Sequence, residues 1–289
     1  MACLHCGDTG WKPVEVEGVQ QVVRCDCWRE ALSGKLLDDA RIPPRYRKCS
    51  FGNFVVYPNE KLQKAVVRAQ AFADAFPVVE QGLFFVGSPG IGKTHLAVAV
   101  LRAVIRRCGA RGIFRNTSEL LKEIRGTYNP MVGPTESGVL RPVIESELLV
   151  LDDIGTEKTS EWVLETLNLI VNTRYNQRRP TIFTSNYEEY PESHGESLGD
   201  KVGFRMLSRL HEMCEFLEFR GADYRYFEHS KGPPTAADLL NMYKNQPSRP
   251  RETGRRASGQ LKARFRESKS DVSLSLIHIS EPTRPLYIS

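Results

Sequence analysis

The residues GSPGIGKT, at positions 87–94, have the types and spacing of a loop that binds nucleotide phosphates. They match the pattern G-x-x-x-x-G-K-[ST], in which glycines let main-chain N–H groups approach the phosphates. The lysine of this pattern reaches the β- and γ-phosphates, and the hydroxyl ligates Mg²⁺. The sequence therefore predicts that Lys93 and Thr94 bind ATP and magnesium. The other predicted contacts are Gly87, Ser88, Pro89, Gly90, Ile91, Gly92 and His95.

Two adjacent carboxylates, Asp152 and Asp153, follow the apolar run at residues 148–151. A continuous apolar run is typical of a parallel strand that is buried on both faces. We expect Asp152 to hold Mg²⁺ through water, opposite Thr94, and Asp153 to orient or deprotonate the attacking water. Asp153 stands where many such ATPases carry Glu, and its side chain is one methylene shorter. The alternative is that the two acids merely cap the next helix.

Four cysteines near the start of the chain form a C-x₂-C pair, Cys3 and Cys6, and a C-x-C pair, Cys25 and Cys27. Four thiolates at about this separation can enclose a tetrahedral Zn²⁺. Turn residues and a hairpin centred on Gly18 would join the pairs, which predicts a zinc-ribbon-like module. An iron–sulfur cluster and free thiols remain alternatives. The isolated cysteines are expected to pack in the core; they are Cys49, Cys108 and Cys214.

The elements that must position these residues follow from periodicity. Residues 94–107 have helical spacing after the short apolar strand at 83–86, which is the strand–loop–helix context that the phosphate loop requires. Further helices are predicted at residues 61–76, 118–126, 160–177 and 202–213, further strands at 112–116, 180–186 and 214–221, and a loop at 127–140. This alternation predicts an α/β fold with a central parallel sheet.

Polar residues at the ends of these elements extend the predicted site. Asn186 ends a strand at the edge where ligand contacts gather in open α/β sheets, so it would point at the γ-phosphate or the attacking water. Arg205 and Arg209 are four residues apart and would share one helical face. Surface salt bridges are the alternative role for these arginines and for Arg225.

Composition predicts a cytoplasmic protein that does not cross a membrane. Of the 289 residues, 40% are hydrophobic, which is enough for a core. No apolar run approaches the roughly 20 residues that span a bilayer. The net charge of +5 is concentrated in residues 244–269, which carry nine basic and two acidic residues. Such a basic segment either contacts nucleic acid or is simply solvated.

Composition and turn residues also divide the chain. Pro43 and Pro44 place a boundary near residue 42, which gives a metal-binding module at residues 1–41 and an ATPase domain at 42–230. Residues 231–289 are expected to form a largely disordered tail. Within it, residues 273–289 resemble translated sequencing-adapter read-through, so they are treated as an artefact without function.

The phosphate loop, LLVLDDIG, TIFTSN and FRMLSRL occur in an order and separation that resemble the AAA+ helicase-loader ATPases, which include DnaC and DnaI, and the related IstB transposition ATPases. The resemblance covers roughly residues 42–230 and implies a three-layer P-loop AAA+ fold. It implies that Asn186 is the sensor-1 residue, that Arg209 with Arg205 is an arginine finger supplied in trans, and that Arg225 is a sensor-2 arginine. The cysteine-bearing front end is similar to the zinc-binding helicase-contact domain of the DnaI type.

The resemblance implies an ATP hydrolase that loads a DnaB-type replicative helicase onto single-stranded DNA and assembles into a homo-oligomer on ATP or DNA. Residues 125–140 and Lys122 are candidates for the DNA contact. Two alternatives stay open. One is an IstB-like ATPase that assists a transposase. The other is a nucleotide-gated zinc adaptor with little turnover. Asp153 in place of Glu is consistent with this second alternative.

Overall fold

Five parallel strands form the central sheet of the part of the chain that the structure describes, in the order β4-β5-β6-β3-β7. The computed structural model describes residues 2–16, 18–128, 135–191, 195–226 and 235–245. The strands are β1 Trp11–Val16, β2 Val19–Arg24, β3 Gly82–Gly87, β4 Gly112–Asn116, β5 Leu148–Asp152, β6 Thr181–Ser185 and β7 Cys214–Phe219. The helices are α1 Asp26–Asp39, α2 Glu60–Ala75, α3 Lys93–Cys108, α4 Thr117–Gly126, α5 Glu136–Glu145, α6 Glu161–Asn176, α7 Leu198–Val202, α8 Phe204–Met213 and α9 Ala236–Lys244.

Helices cover both faces of the sheet because successive strand residues point to opposite sides. In β3, Leu83 and Phe85 join the hydrophobic cluster that contains α2, α3 and α9. Phe84 and Val86 join the cluster that contains α4, α5, α6 and α8. Every residue of β3, β5 and β6 is buried. The predicted α/β fold with three layers and a central parallel sheet is confirmed.

A buried arginine fastens α5 and α6 to the sheet. Arg174 on α6 is fully buried and donates to the carbonyl oxygens of Val143, Ile144 and Ser146, each at 3.0 Å. Its Nε donates to Thr181 Oγ1 at 2.8 Å. The first two carbonyls lie in the last turn of α5, where the helix dipole favours a cation. Carbonyl oxygens therefore satisfy this charge within the core.

The loop predicted at residues 127–140 is wrong for its second half. Residues from Glu136 onward belong to α5, which is capped by Thr135 Oγ1 accepting from Gly138 N at 3.2 Å. Val139 and Leu140 are buried against the sheet. The helical spacing of this apolar face was not recognised, because Pro142 lies inside the helix and turn-forming residues precede it. Residues 129–134 lie outside the described residues.

Two predicted helix starts also differ from the structure. The helix predicted from Val202 is interrupted at Gly203, whose φ of +83° separates α7 from α8. The helix predicted from Ser118 starts at Thr117 and is capped by Asn116, whose Oδ1 accepts from Glu119 N at 3.2 Å. A left-handed residue interrupts helical φ and ψ, so the apolar spacing alone overlooked the break.

The tail predicted from residue 231 as largely disordered is wrong for residues 235–245. They form α9, which begins with a capping box between Thr235 and Asp238. Leu239 is fully buried in the core, and the ring of Tyr243 lies 6.2 Å from that of Tyr57. Packing against the core stabilises this short helix. The polar residues around it in the sequence gave no indication of that packing. Residues 246–289, including the segment treated as an artefact, lie outside the described residues.

The front of the chain forms a small module that continues into the α/β core. Strands β1 and β2 form an antiparallel hairpin, as predicted around Gly18, and α1 follows. Helix α1 packs on the core through Leu36 and Leu37, and the carbonyl of Ala40 accepts from Phe114 N at 2.8 Å. The boundary predicted near residue 42 falls just after this junction and stays a prediction. Among the described residues, no helix has the length and apolar character needed to cross a membrane.

Candidate functional site

The phosphate loop wraps tightly because two of its positions leave no room for a side chain. Gly90 has a φ of +80° and Gly92 a φ of +97°, which are left-handed values that favour glycine. A Cβ at position 90 would overlap the carboxylate of Asp223, and one at position 92 would lie 2.8 Å from Phe54 Cε2. The close approach of these segments therefore requires both glycines.

Lys93 lies at the first residue of α3 and is 6% exposed. Its Nζ donates to the carbonyl oxygens of Gly87 at 2.7 Å and Ser88 at 2.8 Å, and to Asn186 Oδ1 at 2.8 Å. Burial lowers the pKa of this amine to about 8, although the nearby Asp153 and Asp152 raise it. All three of its donors face neutral acceptors, which an anionic group bound in the loop could replace.

Asp152 is held by hydroxyl groups from three elements. Thr94 Oγ1 and Thr184 Oγ1 each donate to Asp152 Oδ1 at 2.8 Å, and Thr117 Oγ1 donates to its main-chain oxygen at 2.8 Å. Burial raises the pKa of Asp152, and the hydrogen bonds from Thr184 and Thr94 oppose that shift. A hydroxyl oxygen beside a carboxylate is a donor set that suits Mg²⁺, which prefers oxygen ligands. These residues therefore fit a magnesium site.

Asp153 has a strained backbone and a single side-chain partner among the described hydrogen bonds. Its φ is +63°, its main-chain N donates to Thr184 Oγ1 at 2.9 Å, and its Oδ1 accepts from Asn186 Nδ2 at 2.6 Å. Burial raises the pKa of this carboxyl group, while the charges of Lys93 and Arg225 lower it. Asn186 thus bridges Lys93 and Asp153, which supports its predicted position at the reacting end of the nucleotide.

His95 and Ile91 contact protein groups instead of an open site. The His95 ring lies 3.0 Å from Asn53 Oδ1 and 3.3 Å from Ser50 O, measured from Nε2, and stands edge-on to Phe54 at 5.3 Å. Ile91 is 2% exposed and packs in the core. Their side chains are therefore engaged within the protein. Only their main-chain N–H groups can make the nucleotide contact that the sequence predicts.

The segment after β7 approaches the phosphate loop and contains a residue that the sequence argument missed. Tyr224 N donates to Gly90 O at 3.0 Å, and Arg225 N donates to Asp223 Oδ1 at 2.8 Å. Arg225 is exposed, and its charge acts on Lys93 and Asp153. The structure thus brings the predicted sensor-2 arginine near the site and shows that Asp223 holds its backbone. The only available signal for Asp223 was its position two residues before Arg225.

Arg205 and Arg209 share one side of α8, as predicted, and Arg209 Nη1 donates to Arg205 O at 3.2 Å. Arg205 is exposed and Arg209 is half-buried. In the described part of the chain, neither guanidinium hydrogen-bonds to Asp152, Asp153 or Asn186. Their assignment as an arginine finger for a neighbouring chain stays a prediction.

The four cysteines of the front end meet at one place. All four Sγ atoms lie within 4.8 Å of one another, with Cys3 and Cys25 at 3.8 Å and Cys6 and Cys27 at 3.2 Å. Tetrahedral zinc with Zn–S bonds of 2.3 Å implies S–S separations of about 3.8 Å. The hydrogen bond with Cys27 lowers the pKa of the Cys6 thiol to about 7. The cluster therefore fits a Zn²⁺ ion.

The remaining cysteines behave differently from one another. Cys49 and Cys214 are buried in the core, which confirms their predicted packing role. The packing prediction is wrong for Cys108, which is exposed in the last turn of α3, although its thiol contacts Phe76 O at 3.4 Å.

An aromatic cluster forms where Trp162 on α6 meets Arg125 and Tyr128. The guanidinium of Arg125 lies 4.5 Å from the centre of the Trp162 ring, and Trp162 Nε1 donates to Tyr128 Oη at 2.9 Å. Tyr128 is 55% exposed. The spacing of Trp162 on α6 gave no sign that it meets a cation from α4 and an aromatic ring just after that helix. Lys122, also on α4, is exposed.

Sequence comparison relates this chain to ATP-binding proteins. The profile of the family described as IstB-like ATP binding protein matches residues 59–232, more than half of the chain. The replicative helicase loader DnaC of Escherichia coli strain K12 is 29% identical over 163 residues. The match covers 56% of this chain and 65% of that relative, so the chain spans just under two thirds of its length.

Solved structures agree with this similarity. A crystal structure of the DnaC helicase loader is 34% identical, and the match covers 62% of this chain and all of that one with a TM-score of 0.55. A crystal structure of DnaI is 24% identical, with 63% of this chain and 94% of that one covered at a TM-score of 0.52, which shows a shared fold.

Proposed function

We propose that this chain, which belongs to the IstB-like ATP-binding protein family, is a Mg²⁺-dependent ATP hydrolase of the AAA+ type. The observation that carries the proposal is the convergence of Lys93, Thr94 and Asp152 at the carboxyl edge of the sheet, where parallel α/β folds bind ligands. Lys93 binds the β- and γ-phosphates, and Thr94 and Asp152 hold the metal ion. The metal ion neutralises charge that develops on the phosphates.

Asp153 and Asn186 direct the attacking water in this proposal. Asp153 accepts a proton from the water or orients it, and Asn186, in contact with both Lys93 and Asp153, links phosphate binding to the position of that carboxylate. The arginine that completes the site comes from a neighbouring chain, through Arg209 or Arg205 of its α8. Hydrolysis therefore requires a homo-oligomer, and Arg225 acts within its own chain.

The work performed by hydrolysis is the loading of a DnaB-type replicative helicase onto single-stranded DNA in the cytoplasm. Similarity to a protein named as a replicative helicase loader supports this step. The cysteine module, defined as residues 2–16 and 18–28 with its Zn²⁺, provides the helicase contact. Its surface exposes Trp11, Trp28 and Val22, and the guanidinium of Arg24 lies between the two tryptophan rings at 3.8 Å and 4.4 Å. Aromatic and arginine side chains of this kind anchor protein interfaces.

Single-stranded DNA binds at the aromatic cluster in this proposal. Arg125, Tyr128 and Trp162 combine a cation with one exposed ring and one half-buried ring, and such groups hold single strands by charge and base stacking. Lys122 adds a second exposed cation on the same helix as Arg125. The cluster and the cysteine module belong to different elements, so one chain can hold DNA and helicase separately.

The experiment that tests the proposed function is capture of the cognate replicative helicase by tagged protein, with and without ATP. We expect wild-type protein to capture the helicase, and the variant Trp28→Ala to lose most of that capture because it removes an exposed anchor. Leu169→Ala, which truncates an exposed apolar residue on α6, is the matched control and should capture normally. Failure of wild-type protein to capture the helicase in any nucleotide state would overturn the loader proposal.

The family description favours one second candidate, an IstB-like ATPase that assists a transposase. The same tagged protein, offered a transposase encoded beside its gene, separates the two functions. Capture of the transposase but not of the helicase would favour this second candidate.

A further inference from the structure

Three successive residues at the end of β6 contact three successive residues at the end of β5. Thr184 contacts Asp152 and Asp153, Ser185 Oγ donates to Ile154 O at 2.8 Å, and Asn186 contacts Asp153. Thr184 is 1% exposed. Its hydroxyl uses its one proton to donate to Asp152 Oδ1 at 2.8 Å and one lone pair to accept from Asp153 N at 2.9 Å. One hydroxyl therefore fixes a side chain and the next peptide at once.

The bond from Thr184 Oγ1 to Asp152 Oδ1 determines which carboxylate oxygen of Asp152 is left to bind the metal ion. Thr94 and Thr184 both donate to Oδ1, so the carboxylate is held from two sides and its rotation about the Cβ–Cγ bond is restricted. Partners of this kind behind a metal ligand orient it and tune its affinity. Without the Thr184 hydroxyl, Thr94 alone would hold the carboxylate, and Thr94 is itself expected to bind the metal.

The second bond fixes the direction of the neighbouring carboxylate. Asp153 has a φ of +63°, an uncommon conformation for a residue with a side chain, and such backbone persists only where surrounding bonds maintain it. Thr184 Oγ1 accepts from the N–H of this residue, and Ile154 N donates to Thr184 O at 2.9 Å on its other side. The peptides on both sides of Asp153 are therefore fastened to Thr184.

We propose that Thr184 is a positioning residue for hydrolysis, which sets Asp152 toward the metal ion and Asp153 toward the water through a single hydroxyl. The proposal rests on the proposed ATP hydrolase function and assigns to it a residue outside the phosphate loop, the acidic pair and Asn186. Thr184 does not touch the nucleotide in this account. Its effect passes through the two carboxylates alone.

The test compares Thr184→Val, which keeps the shape but removes the hydroxyl, with Thr184→Ser, which keeps the hydroxyl. Thr181→Val is the matched control, because Thr181 is a fully buried threonine of the same strand whose hydroxyl bonds to Arg174 and Arg179 instead of the acids. Each protein is measured for ATPase rate against Mg²⁺ concentration, for binding of a fluorescent ATP analogue without Mg²⁺, and for thermal stability.

We expect Thr184→Val to raise the half-saturating Mg²⁺ concentration by about 10- to 100-fold and to lower the maximal rate by a similar factor, as loss of a partner behind a metal ligand does. Analogue binding without Mg²⁺ should stay within about twofold of wild type. Thr184→Ser should restore the Mg²⁺ dependence, and Thr181→Val should leave it unchanged even where it lowers the melting temperature.

An unchanged half-saturating Mg²⁺ concentration in folded Thr184→Val would overturn the proposal. So would an equal loss in Thr184→Ser, because packing would then matter and the hydroxyl would not. A wild-type protein without ATPase activity would instead refute the proposed function. In that case Mg²⁺-dependent analogue binding still tests the bond to Asp152, and an unshifted Mg²⁺ requirement in Thr184→Val would refute it.

Discussion

The cysteine module and the nucleotide site differ in how much packed structure supports them. Among the described residues of the module, only Gly10 and Cys25 are buried, and large apolar side chains such as Trp11 and Val22 face outward. The nucleotide site lies at the ends of β3, β5 and β6, and every residue of these strands is buried. So small a module cannot obtain enough stability from apolar burial and needs a metal ion or another cross-link.

This difference shows where each region gets its shape. Zinc supplies folding free energy in sites of four cysteines, so the module should exist only while its metal ion is bound. The nucleotide site is held by the chain itself, because threonine hydroxyls and main-chain groups bond to Lys93, Asp152 and Asp153. Helix α1 joins the two regions, and its contacts through Leu36 and Leu37 belong to the α/β core.

The largest effect is expected from Lys93→Ala, which alters the nucleotide site. Removing a buried, hydrogen-bonded cation costs about 2–5 kcal/mol, so ATP affinity should fall by at least about 30-fold and hydrolysis should fall below detection. Lys64→Ala on the exposed face of α2 is the matched control. Equilibrium binding of a labelled ATP analogue measures the loss, and wild-type affinity in Lys93→Ala would contradict the assignment of the loop.

Asp153→Asn should separate binding from chemistry within the same region. The amide retains the size and one acceptor oxygen of the side chain, but it cannot take a proton. Hydrolysis should fall by about 10²- to 10⁴-fold while ATP affinity stays near wild type. Phosphate release and analogue binding, measured on one preparation, check this. Full turnover in Asp153→Asn would show that another group, or none, acts as the base.

Cys25→Ser should break the module and spare the nucleotide site. We expect the wild-type chain to carry about one zinc ion, and Cys25→Ser to lose it together with the hairpin, because three thiolates do not close a tetrahedral site. Cys108→Ser, at an exposed cysteine outside the cluster, should keep the metal. Elemental analysis and circular dichroism measure the result. Iron instead of zinc would refute the assignment of the metal, and ATP binding lost with the metal would refute the separation of the two regions.

Trp162→Ala should give a smaller effect, limited to DNA. Base stacking on an aromatic side chain contributes about 1–3 kcal/mol, so affinity for single-stranded oligonucleotide should fall by about 5-fold or more. Leu169→Ala on the same helix should bind normally. Fluorescence anisotropy at fixed salt measures both. Equal affinity in the two variants would place the DNA contact elsewhere.

Local sequence patterns predicted the sheet and the phosphate loop because the relevant signals are contained in short segments. The apolar runs at 83–86 and 148–151 became β3 and β5, and the glycines of the loop have the backbone that their type allows. Helix α5 was missed because turn-forming residues precede it and Pro142 lies within it. Its stability comes from packing, which periodicity does not measure.

The missed site residues have a different cause. Thr184 and Asp223 act on residues far away in the chain, the first on Asp152 and Asp153 and the second beside Gly90. The residues next to them in the sequence do not predict those contacts, because a threonine in a strand and an aspartate after a strand are both common. Only the order of strands in the sheet brings them to the nucleotide site.

We propose that the nucleotide site becomes an active ATPase only when a neighbouring chain supplies an arginine from α8. The direct test mixes Arg209→Ala, which retains its phosphate loop, with Lys93→Ala, which retains its arginine, in the presence of single-stranded DNA. Each variant alone should be at least about 10³-fold slower than wild type. The mixture should recover part of the wild-type rate, and the recovery should grow with protein concentration. A mixture as inactive as its components, with both proteins shown to assemble, would contradict the claim, as would full activity of Arg209→Ala alone.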